Sequence, residues 1–130
     1  MSYLFDTTVA IDWSLAKPGV KSVVEACFAE TGLLYTCDVV TSEALSGGSD
    51  EEREIIHRFL QALEYVALDP DGAAEAGELR RQAGRTSSRS LGDVLIAALA
   101  RRLETTIVTR NEADFSGLGA RVLGYGPVAG

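Results

Sequence analysis

The chain has 130 residues, 46% of them apolar, with three prolines and a net charge of −7 at neutral pH. That length and apolar content suit one globular domain over residues 1–130 with a single core, and exclude a largely disordered chain. No window approaches the roughly 18 uninterrupted apolar residues of a membrane span and no basic flank with an apolar signal region opens the chain, so no membrane association and a cytoplasmic location are expected.

Tyr3-Leu4-Phe5 reads as a first buried strand, followed by the carboxylate of Asp6 and by Thr7 and Thr8, hydroxyl residues able to cap a helix. Thr8 to Ala16 is expected as that helix, ended by Lys17-Pro18-Gly19. A second helix runs from Val20 to Glu30, with Val20, Val23, Val24, Cys27 and Phe28 on one apolar face. Leu33 to Cys37 is a second strand, and Asp38 is placed as the N-cap of a helix through Val39, Val40, Ser42, Glu43 and Leu45. Ser49-Asp50-Glu51-Glu52 has capping-box spacing, and the helix behind it is expected to bury Ile55, Ile56, Phe59, Leu60 and Leu63. Tyr65 to Leu68 reads as a third strand. Asp69-Pro70 then opens a helix to about Ala83, with Pro where its missing N–H costs nothing.

Gly84 to Ser90 is a polar loop leading into Leu91 to Ala100, a helix apolar or small on nearly every face and therefore central. Thr105 to Thr109 is a fourth strand, ending at Arg110-Asn111-Glu112-Ala113-Asp114-Phe115, and Arg121 to Leu123 is an edge strand. Residues from about 125 to 130 read as a flexible tail. Short strands alternating with helices indicate an α/β fold with a mainly parallel sheet covered on both faces. Cys27 and Cys37 lie in apolar runs, in no metal-like spacing with His57, and read as structural thiols.

Charge is unevenly distributed. Up to Glu78 there are four basic and fifteen acidic residues, whereas from Leu79 onward there are eight arginines and four acids. The overall charge argues against non-specific nucleic-acid binding, while the second half can still present a basic face. Arg80, Arg81, Arg101 and Arg102, taken singly, read as helix residues paired with nearby acids.

Asp6, Glu43, Asp93 and the pair Asn111 and Asp114 follow strand-to-helix transitions or lie near helix starts. In a parallel sheet these transitions share one end, so the acids gather there. Several carboxylates in one cleft repel unless they share protons or a cation. Mg²⁺ prefers oxygen ligands and keeps several waters, so two or three carboxylates and an amide oxygen form a suitable partial shell. Such a site can activate water for phosphodiester hydrolysis without a nucleophilic side chain. Each residue also has a local explanation. Ser90-Leu91-Gly92-Asp93 has capping-box spacing, Glu43 can be a solvated helix residue, and Asn111 and Asp114 form turns readily. No phosphate-binding glycine loop or nucleophile elbow is present. A receiver-type phosphotransfer domain fits poorly, since no Lys follows Lys21.

With these residues in hand, the chain resembles PIN-domain ribonucleases of the VapC toxin type. The resemblance is carried by Leu4-Phe5-Asp6-Thr7-Thr8-Val9, Thr41-Ser42-Glu43-Ala44, Gly92-Asp93-Val94-Leu95-Ile96-Ala97-Ala98-Leu99-Ala100 and Thr109-Arg110-Asn111-Glu112-Ala113-Asp114-Phe115, in the family's order. It implies a PIN-like three-layer α/β/α sandwich with about five strands, and Mg²⁺ or Mn²⁺ held by Asp6, Glu43 and Asp93. The fourth acidic site of the family often reads Thr-x-Asp. Here Asn111 stands in that place with Asp114 three residues later, which implies a supporting role for Asn111 and a lesser one for Asp114. Thr7 and Thr109 resemble residues that support the site through hydrogen bonds.

The resemblance also implies a metal-dependent endoribonuclease acting on RNA, a VapB-like antitoxin partner that blocks the acidic cleft with a basic side chain, and a homodimer. Arg85, Arg89 and Arg110 are the expected substrate-binding residues, because phosphate contacts need flexible cations near the cleft. The alternative is a PIN-fold module that binds antitoxin or RNA with little catalysis, kept open by Asn111 and the acidic surface.

Overall fold

Three consecutive residues with at most 5% exposure, Tyr3, Leu4 and Phe5, form β1 (Tyr3–Phe5), the middle strand of a five-stranded sheet. The computed structural model of the protein describes residues 1–30, 32–85 and 90–126. The other strands are β2 (Leu34–Cys37), β3 (Glu64–Val66), β4 (Thr106–Thr109) and β5 (Arg121–Gly124), in the order β3-β2-β1-β4-β5 with every pair parallel. A parallel sheet needs cover on both faces. Among the described residues six helices supply it: α1 (Thr7–Ser14), α2 (Val20–Glu30), α3 (Asp38–Ala44), α4 (Asp50–Gln61), α5 (Pro70–Gln82) and α6 (Ser90–Leu103). The fold is the expected three-layer α/β/α sandwich. Among the described residues no helix is long and apolar enough to cross a membrane.

The strand order positions the site. From β1 the chain builds outward through β2 and β3, then returns through α5 and α6 to the other side of β1 as β4. The order therefore reverses between β1 and β4, and the crevice of an open α/β sheet forms outside the carboxyl ends of the strands at such a point. Phe5 pairs with Val108, so the residues that follow them, Asp6 and Thr109, emerge side by side.

Several boundaries follow from local chemistry. Ser49 Oγ accepts from the Glu52 N–H at 3.1 Å, as its capping-box spacing predicts, and Asp69 Oδ1 caps the next helix by accepting from the Gly72 N–H at 2.7 Å. Cys27 and Cys37 are buried free thiols, and burial pushes each up to about 11. Arg81 pairs with Glu78, and Arg102 with Asp69 and Glu75. At the heart of α6, Val94 and Ile96 to Ala98 are completely buried, as expected of a central helix.

Other expectations are corrected. The first helix begins at Thr7 and ends at Ser14. Ala16 adopts the left-handed φ of 51°, while its N–H and that of Lys17 bond to Trp13 and Asp12, a Schellman closure that stops the helix early. Asp38 is the first residue of α3 rather than its N-cap, which is Cys37; the Asp38 carboxylate instead accepts from the Val39 N–H. The third strand begins at Glu64, ends at Val66 and lies at a sheet edge, leaving Tyr65 56% exposed. Ile55 and Phe28, expected in the core, are 37% and 45% exposed. Tyr125, assigned to the tail, is half-buried, packs against the core and bonds to Asp12.

Candidate metal and active site

Asp6 follows β1 and occupies the N-cap position of α1, yet its side chain makes no capping bond. Its Oδ2 accepts from Thr109 Oγ1 at 2.8 Å and from Thr8 Oγ1 at 3.1 Å. The carboxylate is thus held by side chains from β4 and α1 at the crevice. Asp6 is only 5% exposed, and this desolvation raises its pKa; hydrogen bonds from Thr109, Thr7 and Thr8 oppose the shift, and Glu43 reinforces it.

Glu43 projects from α3, where its Oε1 accepts from Thr7 Oγ1 at 2.7 Å. Its carboxylate lies against Gly92 in the first turn of α6. A Cβ built on Gly92 would come within 3.1 Å of the Glu43 carboxyl carbon and collide with Oε2. Glycine at this position is what allows Glu43 to approach the start of α6.

Asp93 is the next residue, in that same first turn. Its carboxyl is pushed up to about 7, first by desolvation and then by Asp114, Asp6 and Glu43; Arg85, with Nη1 4.0 Å from Oδ2, acts in the opposite direction. Three acids from other parts of the chain therefore bear on Asp93 at one end of the sheet. Among the described residues, no three His, Cys, Asp or Glu side chains already converge closely enough to enclose a metal ion. The donor set is nonetheless all oxygen and carries excess negative charge, which fits a hard divalent cation that retains much of its water.

Asn111 and Asp114 flank the site from the segment after β4. Asn111 precedes a short 3₁₀ helix, Glu112–Phe115, and its main-chain N–H donates to Thr109 Oγ1 at 3.0 Å. Asp114 is exposed, and it is the charge that acts most strongly on Asp93. Thr7 and Thr109 make the supporting hydrogen bonds expected of them.

The arginines divide. Arg85 uses Nη1 on the Asp114 carbonyl at 2.5 Å and Nη2 on the Ser116 carbonyl at 2.7 Å, so it braces the 3₁₀ segment. Arg89 lies outside the described residues. Arg110 follows β4 directly and is paired with Asp12.

Asp12 was not singled out in the sequence, and neither was its partner Tyr125. A lone acid in the apolar run Val9-Ala10-Ile11-Asp12-Trp13 carries no signal of its partner 113 positions away. Desolvation and the Asp12 contact raise the Tyr125 phenol far above its ordinary range. Thr8, expected only as a helix-capping residue, bonds both to Asp6 and to the Arg110 main chain.

The family model described as PIN domain matches residues 3–120. No curated protein sequence matches the chain. Among solved structures, a toxin–antitoxin complex from Klebsiella pneumoniae is similar with TM-score 0.79 at 22% identity, covering 97% of this chain and 99% of the other. VapBC2 from Rickettsia felis, bound to a DNA fragment from their promoter, is similar with TM-score 0.79 at 20% identity, covering 97% and 100%. VapC20 from Mycobacterium tuberculosis, a sarcin–ricin loop cleaving toxin, is similar with TM-score 0.65 at 18% identity, covering 91% and 95%. At these identities the solved structures establish the fold. The family model extends over nearly the whole chain, from β1 to the residue before β5, and the chain belongs to the PIN-domain family.

Proposed function

We propose that this PIN domain is the endoribonuclease toxin of a toxin–antitoxin pair, hydrolysing RNA phosphodiester bonds with Mg²⁺ or Mn²⁺ held by Asp6, Glu43 and Asp93. The observation that carries this reading is the placement of acids at the switch point, where Asp93 is raised to about 7 by burial and by three neighbouring carboxylates. Clustered carboxylates of this kind are costly for a fold and are characteristic of functional sites. When bound, a divalent cation lowers the pKa of a water and offsets charge on the leaving oxygen.

The chain's own residues prepare that chemistry. Thr109 and Thr8 fix the Asp6 carboxylate, Thr7 and the missing Cβ of Gly92 fix Glu43, and Arg85 holds the 3₁₀ segment that brings Asp114 towards Asp93. Asn111 and Asp114 take supporting positions. An antitoxin partner is supported by the toxin–antitoxin complexes that share the fold. The mainly apolar cleft of about 500 Å³ between Trp13, Val24, Phe28 and Phe59, with Glu25 and Arg58 also in its lining, suits an amphipathic segment of such a partner. A toxin restrained by an antitoxin and directed at RNA acts in the cytoplasm, and a homodimer is proposed for the free chain, to be checked by sedimentation.

The test is cleavage of single-stranded RNA by the purified chain with Mg²⁺, Mn²⁺ or EDTA, alongside Asp6→Asn and Asp93→Asn. Metal-dependent cleavage lost in both folded variants supports the reading; equal cleavage by wild type and both variants sinks it. A non-catalytic module that binds antitoxin or RNA is the second reading. It is favoured by Asn111 standing where an acid is expected, and it requires RNA or antitoxin binding by a wild-type chain that cuts nothing.

A further inference from the structure

Asp12 lies on α1 at 2% exposure, where an ionised carboxylate is costly unless it is paired. Its Oδ2 accepts from the Tyr125 hydroxyl at 2.8 Å and lies 3.4 Å from Arg110 Nε. Its Oδ1 and Arg110 Nε are both buried and make no hydrogen bond among the described residues. The core thus holds one edge of the guanidinium by charge, and Tyr125 donates to the same carboxylate oxygen, which fixes the orientation of that carboxylate. Tyr125 is itself fixed to β4, because its main-chain N–H donates to the Thr109 carbonyl at 3.2 Å.

This bracket adjoins the carboxylate site. The Arg110 N–H donates to Thr8 Oγ1 at 3.1 Å, and Thr8 Oγ1 donates to Asp6 Oδ2 at 3.1 Å. Arg110 remains 37% exposed, and among the described residues its Nη1 and Nη2 donate no hydrogen bond. Arg85 differs, since each of its terminal nitrogens already donates to a carbonyl of the 3₁₀ segment or the residue after it. A guanidinium gripped at Nε keeps the two donors that match a phosphate bidentately. Holding it in place before binding also reduces the side-chain freedom lost when substrate arrives.

Building on the ribonuclease reading, we propose that Asp12 and Tyr125 are positioning residues that hold Arg110 beside the site to take a backbone phosphate of the RNA. Arg110 touches substrate; Asp12 and Tyr125 act through it.

The experiment measures steady-state cleavage of a fluorogenic single-stranded RNA oligonucleotide by the full chain with Mn²⁺. It compares wild type, Arg110→Gln, Arg110→Lys, Asp12→Asn, Tyr125→Phe and the Asp12→Asn/Arg110→Gln double variant, with thermal midpoints for each. Arg110→Gln should raise KM about tenfold and leave kcat within about threefold, as expected for loss of uniform binding. Arg110→Lys should recover little of that loss, because an ammonium cannot make the paired contact. Asp12→Asn should raise KM in the same direction, and the double variant should be no worse than Arg110→Gln alone, since coupled residues are non-additive. Tyr125→Phe, the milder change, should show a smaller KM effect of the same kind.

Fully additive KM effects, or a lowered midpoint in Asp12→Asn with unchanged KM, would overturn the proposal while leaving the ribonuclease reading intact. A wild-type chain that cuts no RNA with either metal overturns that reading instead. The same variants are then compared by anisotropy of a labelled oligonucleotide. Non-additive losses of affinity support the bracket, and equal affinities for wild type and Arg110→Gln overturn it.

Discussion

Thr109 Oγ1 and Asp6 Oδ2 lie 2.8 Å apart, joining the ends of two neighbouring parallel strands through a hydrogen bond between buried side chains. The bond exists because Phe5 pairs with Val108, and a one-residue slip would point the two side chains to opposite faces. Replacing Thr109 with Val keeps the shape and removes the donor, which should cost about 1–3 kcal/mol as the buried carboxylate loses a partner. Thr109→Ser should restore most of it. Chemical denaturation of the three proteins checks this, and equal stability of Val and Thr would remove the bond from the account.

Asp93 makes the metal-free protein sensitive to pH. Its carboxyl is raised from 3.8 to about 7 on folding, so between about pH 4 and pH 7 the folded state holds a proton that the unfolded state has lost. Stability attached to this group is therefore greatest below the unfolded pKa and is lost as pH rises through the folded one. Asp6 is raised in the same direction. In EDTA, Asp93→Asn should match wild type near pH 4 and unfold at a higher temperature by about pH 8. A midpoint difference that stays constant across this range would contradict the assigned shift.

Divalent cation should reverse that ordering. A ligand that binds only the native state raises the midpoint by mass action. With Mg²⁺ or Mn²⁺ in the millimolar range, wild type should gain thermal stability, and Asp6→Asn and Asp93→Asn should gain much less. Thermal scans at fixed pH read this directly, and an equal rise in all three proteins would place the cation elsewhere.

Gly92 separates site function from stability. Ala is favoured over Gly within a helix by about 1 kcal/mol, so on propensity alone Gly92→Ala should stabilise α6. Its Cβ would strike the Glu43 carboxylate, and that flexible side chain must move away. The expected outcome is an unchanged or higher midpoint together with a weaker metal-induced rise. A normal metal response in Gly92→Ala would show that the position of Glu43 is not critical.

Arg85 should act on the 3₁₀ segment rather than on substrate. Removing its bonds to the Asp114 and Ser116 carbonyls in Arg85→Ala should speed hydrogen exchange over Glu112–Phe115 and raise the Asp93 pKa further, since a neighbouring positive charge is lost. Exchange mass spectrometry and an NMR titration of Asp93 test the two effects separately.

The features legible in the sequence are those whose causes are local. Ser49 and Asp69 cap helices through N–H groups three residues away, so their roles are contained in short windows. The buried run of β1 and the dense apolar surface of α6 mark a central strand and a central helix. Asp6, Glu43 and Asp93 could be picked out because each stands at or near a strand-to-helix transition, and a parallel sheet brings those transitions to one end. Exposure was less legible: Ile55 and Phe28 have the spacing of a buried face, yet they border a cleft, because periodicity identifies an apolar stripe without saying how wide its cover is.

By itself the sequence determined the order of elements, the family motifs and the acids available for a site. Only the tertiary structure decided that β1 and β4 are neighbours at the reversal of strand order, that Thr109 serves Asp6, that Arg85 donates to two carbonyls, and that Asp12 meets Tyr125 and Arg110. These contacts join residues 29 to 113 positions apart. Their formation depends on register and packing summed over the whole domain, and no local propensity encodes that sum.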